Sequence, residues 1–202
     1  MTFYRKLMST EFKQLFIYGY RLLWWIFNAW RYKYLGKLSY IHRPLKITRK
    51  LIFCGSKVNI AKNCRIEGIK THNNIVFDPQ IIFSDNVSIE QNLHLTCANK
   101  IFIGQHTAIA ANVTITDIHH SYEDIDLPIE LQNIIVSDIY IGPDSKIYNN
   151  VVILPGVHIG KHVTIGANSV VRGNIPDYSV AVGSPAKLIK KFNFETNQWE
   201  KC

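Results

Sequence analysis

Aliphatic residues recur at every sixth position through residues 141–176. The hexads open with Ile141, Ile147, Ile153, Ile159, Ile165 and Val171. Their fourth places hold Asp144, Asn150, Gly156, His162, Asn168 and Asn174. Apart from Gly, the types Asn, Asp and His tolerate a left-handed backbone best, so each hexad is predicted to be one short strand and a bend. This period predicts a mainly β chain folded as a parallel β-helix, whose stacked coils bury what one coil cannot bury alone.

The same rhythm occurs earlier in the chain and is interrupted twice. Hexads are opened by Ile60, Ile66, Phe83, Ile89, Leu95, Ile103, Ile109 and Ile115. A polar break at residues 70–74 separates the first two of these from the rest. Residues 116–140 form a longer insertion that is polar and acidic and contains the adjacent pair His119 and His120. Long loops on a rigid scaffold are usually functional, so this insertion is the first candidate for chemistry.

Three regions follow from this pattern: a basic, aromatic helical segment at residues 1–50, a β-helix at residues 51–192 and a tail at residues 193–202. Residues 51–192 are predicted to form the β-helix, with the loop 116–140 inserted in it. After residue 176 the hexads stop; residues 177–182 are predicted as a strand. Residues 186–194, with Lys187 and Lys190, are predicted as a short basic C-terminal element for which a helical conformation is considered. Residues 193–202 are expected to be a polar tail.

The first fifty residues differ from the rest in charge and aromatic content. They contain eleven Lys and Arg against the single acid Glu11, a balance of +10 within a chain of net charge +8. Such local asymmetry indicates a surface partner for that segment. The apolar run at residues 15–30 is shorter than the roughly 20 residues of a membrane span. Two interpretations of a helical segment stay open: residues 1–40 lie on an anionic membrane surface, or the helix caps the open end of the β-helix.

Composition also narrows the partner and metal classes. Nucleic-acid binding is not expected, because the basic segment is strongly apolar and the remainder of the chain is slightly acidic. The four cysteines, Cys54, Cys64, Cys97 and Cys202, have no metal-ligand spacing and are expected to be free thiols in a reducing compartment. No metal site is expected.

The hexads of residues 141–176, followed by Gly183-Ser184-Pro185-Ala186-Lys187, resemble the hexapeptide-repeat acyltransferases. Within that family the chain is most similar to the sugar O-acetyltransferases, including those of bacterial surface polysaccharides. The resemblance covers about residues 55–192. It implies a left-handed β-helix, a homotrimer with active sites in the clefts between subunits, and acetyl-CoA as the cosubstrate.

The resemblance also places the catalytic histidine in the inserted loop, at His120. An imidazole titrates near neutral pH, so it can take the proton of a sugar hydroxyl that attacks a thioester. His119 occupies the preceding position and is kept as a substrate-binding candidate. Asp117, Glu123 and Asp124 are candidates for orienting the imidazole, although each is also a plausible surface carboxylate.

The family's oxyanion donor is a backbone N–H, which falls here on Asn149. Relatives carry Trp and Gly where this chain has Lys146 and Tyr148. Lys146 has two interpretations, a contact to an anionic sugar or a solvated turn residue. Asn92 matches a family residue that positions the acceptor, but it also stands at the turn place of its hexad.

For coenzyme A, the resemblance selects Ala167 beside the pantetheine and Arg172, Lys187 and Lys190 near the phosphates. Cations suit the 3′-phosphate, and the alternative is a generic basic tail. The function predicted is O-acetylation, by direct attack in a ternary complex, of a sugar in an O-antigen or capsule precursor. The acceptor would be a sugar or lipid-linked glycan, and the enzyme cytoplasmic and peripheral on the inner membrane. The alternatives are a soluble acetyltransferase for a small acceptor, a non-catalytic β-helix scaffold and a zinc enzyme of the β-helix carbonic anhydrase type.

Overall fold

The computed structural model describes residues 2–202, with side chains from residue 14 onward. The chain begins with helix α1, Thr2–Asn28, which contains no proline and only one glycine. The Asn28 side chain donates to the Trp24 carbonyl at 2.8 Å, and a 3-10 turn, Ala29–Arg31, follows. The helix therefore ends where its last carbonyls find a side-chain donor.

The strands of the first two coils precede a small antiparallel hairpin. Their bounds are β1 Tyr34–Leu35, β2 Tyr40–Ile41, β3 Lys46–Ile47, β4 Ile52–Cys54, β5 Asn59–Ile60 and β6 Arg65–Gly68. A 3-10 turn, Arg49–Leu51, joins the two coils. The first interruption folds as the hairpin of β7, Thr71–His72, and β8, Ile75–Val76.

Two further coils lead to the second interruption. Their bounds are β9 Gln80–Phe83, β10 Ser88–Ile89, β11 His94–Cys97, β12 Lys100–Ile103, β13 Ala108–Ile109 and β14 Thr114–Thr116. The inserted loop pairs β15, Ile118–His120, antiparallel with β16, Ile134–Val136, around a 3-10 turn, Ile129–Leu131.

The last two coils and a C-terminal hairpin complete the chain. Their bounds are β17 Ile139–Ile141, β18 Lys146–Ile147, β19 Val152–Ile153, β20 His158–Ile159, β21 Thr164–Ile165, β22 Val170–Val171, β23 Ser179–Val182, β24 Lys187–Asn193 and β25 Gln198–Lys201. Each coil gives one strand to each of three sheets. Sheet A contains β1, β4, β9, β12, β17 and β20; sheet B contains β2, β5, β10, β13, β18, β21, β23, β24 and β25; sheet C contains β3, β6, β11, β14, β19 and β22.

The hexad logic of the sequence is visible in the core and in the corners. The aliphatic residue that opens each hexad points inward and is fully buried, as at Ile89, Ile109 and Ile147. Non-glycine residues at the fourth places, with the exception of Asn174, adopt left-handed φ angles, for example 61° at Asn112 and 59° at Asp144. The prediction of short strands joined by left-handed bends is therefore confirmed.

The β-helix begins before the predicted boundary at residue 51. Its first coil begins at residue 34, because Leu35, Ile41 and Ile47 already stand six residues apart and pair in register with the second coil. The aromatic and basic composition of this region hides that period.

The C-terminal element is a β-hairpin and not a helix or a polar tail. β23 is the last parallel strand of sheet B, and without the hairpin its outer edge would be unpaired. β24 pairs antiparallel with this edge, and β25 pairs with β24. Phe192 packs edge-on against Trp199, with ring centroids 5.5 Å apart. An available sheet edge and this aromatic contact favour the strand over the helix.

Helix α1 covers the N-terminal end of the core. Trp24 and Trp25 pack against buried residues of the first coils, and the Trp25 indole donates to the Leu35 carbonyl at 2.8 Å. Arg21 donates to the Asn59 side chain at 3.1 Å. The capping interpretation thus holds for this end of the helix. None of the described helices is long and apolar enough to cross a bilayer.

Candidate active site

The inserted loop is anchored where it leaves the fourth coil. Asp117 is fully buried, and its carboxylate accepts hydrogen bonds from the Ala98 and Asn99 amides, each at 2.8 Å. Burial raises the pKa of this carboxyl, while the two amides act in the opposite direction. Asp117 therefore fixes the loop to the neighbouring corner, and its oxygens serve the backbone instead of orienting His120.

The two adjacent histidines lie on opposite sides of β15, as alternation along a strand requires. His119 is exposed, and its ring meets Tyr122 edge-on at 5.6 Å. His120 is half-buried and pairs with Ile134 of β16. The Nδ1 atom of His120 is buried and has no hydrogen-bond partner among the described residues. Nε2 is therefore the ring nitrogen that remains available to contact a bound substrate.

The other candidate carboxylates are directed elsewhere. The Asp124 carboxylate accepts from the Asp126 amide at 3.0 Å, which is a local turn contact. Glu123 is exposed. Neither makes a hydrogen bond to His120 within the part of the chain whose side chains are described.

The β7–β8 hairpin and the inserted loop are joined to each other by hydrogen bonds. His72, on the β7–β8 hairpin, places its Nε2 3.1 Å from the Gln132 carbonyl, so this ring nitrogen is the donor. Asn73 donates from the same hairpin to the Leu131 and Gln132 carbonyls at 2.9 and 3.0 Å. The His72 ring stands edge-to-face with the His120 ring, with centroids 5.6 Å apart. The hairpin therefore supports the loop that carries His120.

His120 faces a cavity of about 500 Å³ over the outer surface of sheet C. Thr96, Thr114 and Thr116 contribute hydroxyl groups to it, and Arg65 and His94 contribute basic groups. The volume lies within the range of small-molecule sites. Hydroxyl donors and an imidazole facing one cavity are suited to orienting a polyol and deprotonating one of its hydroxyls.

Sequence reasoning missed these lining residues. Register places Arg65, His94 and Thr114 in one column on the outside of sheet C, each immediately before an inward aliphatic residue. Grouping three successive hexads into one coil would have predicted that these three residues lie next to one another on sheet C. His72 carried no such signal, because it lies in the polar break between the repeats.

Asn92 belongs to a ladder of corner asparagines between sheets B and C. The Asn92 amide donates to Asn112 at 2.9 Å, Asn112 to Asn150 at 3.1 Å, and Asn150 to Asn168 at 2.9 Å. All four have left-handed φ angles near 60°. Asn92 is not among the residues lining the His120 cavity. Within this chain its observed partner is therefore the next asparagine of the ladder.

Asn149 and Lys146 also lie away from the His120 cavity of the same chain. Asn149 occupies the corner after β18, where its carbonyl accepts from the Asn168 amide at 3.0 Å, and its own N–H makes no backbone hydrogen bond with the described residues. Lys146 points outward from sheet B, with Nζ 5.6 Å from the Tyr148 ring centroid. A single chain does not bring these two residues to His120.

Three of the candidate coenzyme residues, Ala167, Lys187 and Lys190, lie toward the C-terminal end of sheet B, and Arg172 follows the last strand of sheet C. Ala167 is stacked one coil below Asn149 at the same corner. Lys187 and Lys190 are exposed on β24, paired with Val182 and Val180, and Arg172 is exposed after β22. Side chains from residue 14 onward form no group of three His, Cys, Asp or Glu able to hold a metal ion.

Comparisons with known proteins agree with this architecture. The family model of the bacterial transferase hexapeptide (six repeats) matches residues 138–173. The "Putative lipopolysaccharide biosynthesis O-acetyl transferase WbbJ" of Escherichia coli (strain K12) is 43% identical over 129 residues, covering 60% of this chain and 66% of that protein. A "Probable acetyltransferase" of Mycobacterium tuberculosis is 35% identical, covering 83% and 57%. The galactoside O-acetyltransferase of Escherichia coli is 33% identical, covering 57% and 60%. The chain thus spans less than two thirds of each relative.

Solved structures share the fold at lower identity. A hexapeptide-repeat acetyltransferase of Vibrio cholerae, complexed with acetyl coenzyme A, superposes with a TM-score of 0.60 and 22% identity, covering 92% of this chain and 91% of that one. The N-acyltransferase AntD of Bacillus cereus, in complex with dTDP and 3-hydroxybutyryl-CoA, gives a TM-score of 0.63 at 16% identity, covering 82% and 86%. The stacked parallel sheets, the hexads and these matches together show the left-handed β-helix fold of the hexapeptide-repeat acyltransferases, to which the chain is similar.

Proposed function

We propose that the protein transfers the acetyl group of acetyl-CoA to a hydroxyl group of a sugar. The observation that carries this proposal is His120, which faces a cavity lined by three threonine hydroxyls while its Nδ1 is buried. The names of the relatives from Escherichia coli, an O-acetyl transferase of lipopolysaccharide biosynthesis and a galactoside O-acetyltransferase, support the same chemistry. We propose an O-antigen or capsule precursor as the acceptor.

His120 acts as the general base in this mechanism. Nε2 takes the proton of the sugar hydroxyl while the oxygen attacks the thioester carbonyl carbon, forming a tetrahedral intermediate. Collapse of that intermediate breaks the carbon–sulfur bond, and the leaving thiolate takes the proton from the imidazolium. Acetyl transfer is direct, so both substrates are bound together.

The oxyanion of the intermediate needs a donor, and the unpaired Asn149 N–H is the proposed one. Asn149 lies away from His120 in its own chain, so the donor would come from a neighbouring copy. Ala167, directly below Asn149, would line the pantetheine arm. Lys187 and Lys190, with Arg172, would meet the phosphates of the coenzyme.

A homotrimer would bring these parts together, and sheet A offers a surface for it. Register stacks an outward column of Tyr34, Phe53, Ile82, Phe102, Tyr140 and His158 along the whole sheet. The rings of Phe102 and Tyr140 stack at 5.0 Å, and those of Tyr140 and His158 at 4.5 Å. Continuous apolar surface of this kind marks protein–protein contacts. Sedimentation of a Tyr140→Glu variant should then give a smaller species than the native protein.

The decisive experiment compares His120→Ala with His119→Ala. Acetyl-CoA turnover is measured against nucleotide-linked, lipid-linked and simple sugars. We expect His120→Ala to lose at least about a hundredfold in kcat, as removal of a general base does, while coenzyme binding is retained. His119→Ala is the matched control, since its ring lies on the other side of β15. Equal activity of His120→Ala and the native enzyme would refute the assignment.

We also propose that α1 brings the enzyme to the cytoplasmic face of the inner membrane. Leu23 and Phe27 stand four residues apart on α1 and Trp30 follows in the 3-10 turn, and their side chains are 57%, 70% and 74% exposed. Apolar side chains on a helix from a strongly basic segment suit the boundary of an anionic bilayer.

Substitutions test this proposal better than deletion of residues 1–40 would. Residues 34–41 belong to the first coil, so the deletion would damage the fold. The triple variant Leu23→Ser, Phe27→Ser, Trp30→Ser should sediment less with phosphatidylglycerol vesicles than the native protein. Leu45→Ser, at a side chain 75% exposed outside the helix, is the control and should leave sedimentation unchanged. Unchanged sedimentation of the triple variant would exclude this surface.

A further inference from the structure

The cavity at His120 continues into a column of basic residues on sheet C. Register pairs Lys46 with Arg65, Arg65 with His94, and His94 with Thr114. Neighbouring strands lie about 4.8 Å apart, so the Arg65 backbone is about 10 Å from that of Thr114. The column therefore leads from the hydroxyl-lined cavity toward the first coil, on which α1 packs.

Glu67 holds the two outer cations of this column in place. Its side chain is 6% exposed and contacts both the Lys46 ammonium and the Arg65 Nε. Burial alone would raise the pKa of Glu67, but the hydrogen bonds and charges of Lys46 and Arg65 keep it below its ordinary value. Lys46, Arg65 and Glu67 together carry a net charge of +1, and the exposed Glu130 lines the same cavity.

Arg65 retains most of its donors for a ligand. Only its Nε is engaged with Glu67, and the two terminal nitrogens make no hydrogen bond within residues 14–202. The side chain is 49% exposed and lines the cavity. A guanidinium fixed through Nε presents a planar fork that matches the geometry of a phosphate. Lys46, one strand further on, supplies a second cation about 5 Å away at the backbone.

We propose that Arg65 and Lys46 form a diphosphate subsite, and that the acceptor is a glycosyl diphosphate. The inference rests on the proposed function for the sugar, which would lie between His120 and the threonines. Two cations in a row, one strand apart, fit two linked phosphates better than a single carboxylate. A nucleotide or a lipid alcohol would carry the diphosphate, and the turnover measurement below distinguishes the two carriers.

Binding of inorganic pyrophosphate tests the subsite directly. Calorimetry on the full-length protein should show binding that Arg65→Gln weakens at least about tenfold and that Arg65→Lys, which keeps the charge but not the fork, weakens less. Lys100→Gln, an exposed lysine on sheet A, makes the same change in net charge and should leave binding unchanged. Absence of binding, or equal weakening by Lys100→Gln, would overturn the subsite.

Turnover identifies the acceptor and separates this inference from the proposed function. One sugar is offered as its methyl glycoside, its uridine diphosphate ester and its polyprenyl diphosphate. Arg65→Gln should raise KM about tenfold more for the diphosphates than for the glycoside and leave KM for acetyl-CoA unchanged. An equal change in KM for all three forms of the sugar would contradict the subsite. Failure of every sugar in the panel used for His120→Ala would refute the acetyltransferase proposal, while the pyrophosphate measurement would still decide on Arg65.

Discussion

The corner between sheets B and C and the outer face of sheet C are made by the same repeat, yet they have different roles. At the corner, Asn92, Asn112, Asn150 and Asn168 are joined to one another by side-chain hydrogen bonds. On the face, Arg65, His94 and Thr114 line a cavity. A corner residue is selected for its φ angle, whereas a face residue is free to vary in chemistry. The place in the coil therefore says more about function than the residue type does.

The largest expected effect breaks the link between the face and its loop. In Asp117→Ala the buried Ala98 amide and the part-buried Asn99 amide lose their acceptor. An unsatisfied buried donor costs about 1–3 kcal/mol, so the free energy of unfolding should fall by about 3 kcal/mol. Denaturant unfolding measures this loss, and acetyl transfer should fall with it because His120 follows Asp117 by three residues.

Asp138→Ala is the matched control for this prediction. Asp138 also accepts from Asn99, but from the exposed side-chain amide at 2.6 Å. Its removal should cost less than about 1 kcal/mol, the value of an ordinary hydrogen bond. Equal losses in both variants would mean that the buried amides are not the reason for the position of Asp117.

A smaller effect is expected from the hairpin that supports His120. His72→Phe keeps a ring beside His120 but loses the hydrogen bond to the Gln132 carbonyl. We expect kcat to fall about tenfold, equivalent to about 1.4 kcal/mol, with KM for acetyl-CoA unchanged. His72→Gln, which restores a donor, should recover part of kcat. A change in KM without a change in kcat would contradict a positioning role.

The difference between corner and face also explains how far the sequence could be interpreted. The hexads predicted the core, the left-handed corners and the loop carrying His120, because each depends on residues close in sequence. The first coil was missed because Trp and Tyr side chains of the helix and the coil obscure its six-residue period. Arg65 and His94 were missed because their meeting depends on coil length, and His72 because it lies outside the repeats. The C-terminal strands depend on the free edge of β23, which no local pattern reveals.

Substitution of Asn92 in the corner ladder should lower the free energy of unfolding by about 1 kcal/mol and leave substrate binding unchanged. Asn92 has a φ angle of 63°, a left-handed conformation that disfavours Ala. Asn92→Ala also removes the side chain that donates to Asn112. Asn92→Gly removes the same side chain but accepts this φ angle, so its unfolding free energy should stay closer to the native value. Both variants should retain KM for the sugar if Asn92 is a ladder residue. A raised KM in both would instead restore Asn92 as an acceptor-binding residue.

The smallest expected effect tests whether the face column is held by charge. Glu67 has a pKa below its ordinary value in the folded protein, so its contribution to stability is present above the unfolded pKa and is lost as the pH falls through the folded pKa. Glu67→Gln removes that contribution at neutral pH and should flatten the decrease in Tm between about pH 5 and pH 3. The native and variant proteins should differ by about 2–4 °C at pH 7, for about 1 kcal/mol, and converge in acid. Parallel curves would mean that Glu67 supports Arg65 and Lys46 by packing and not by its charge.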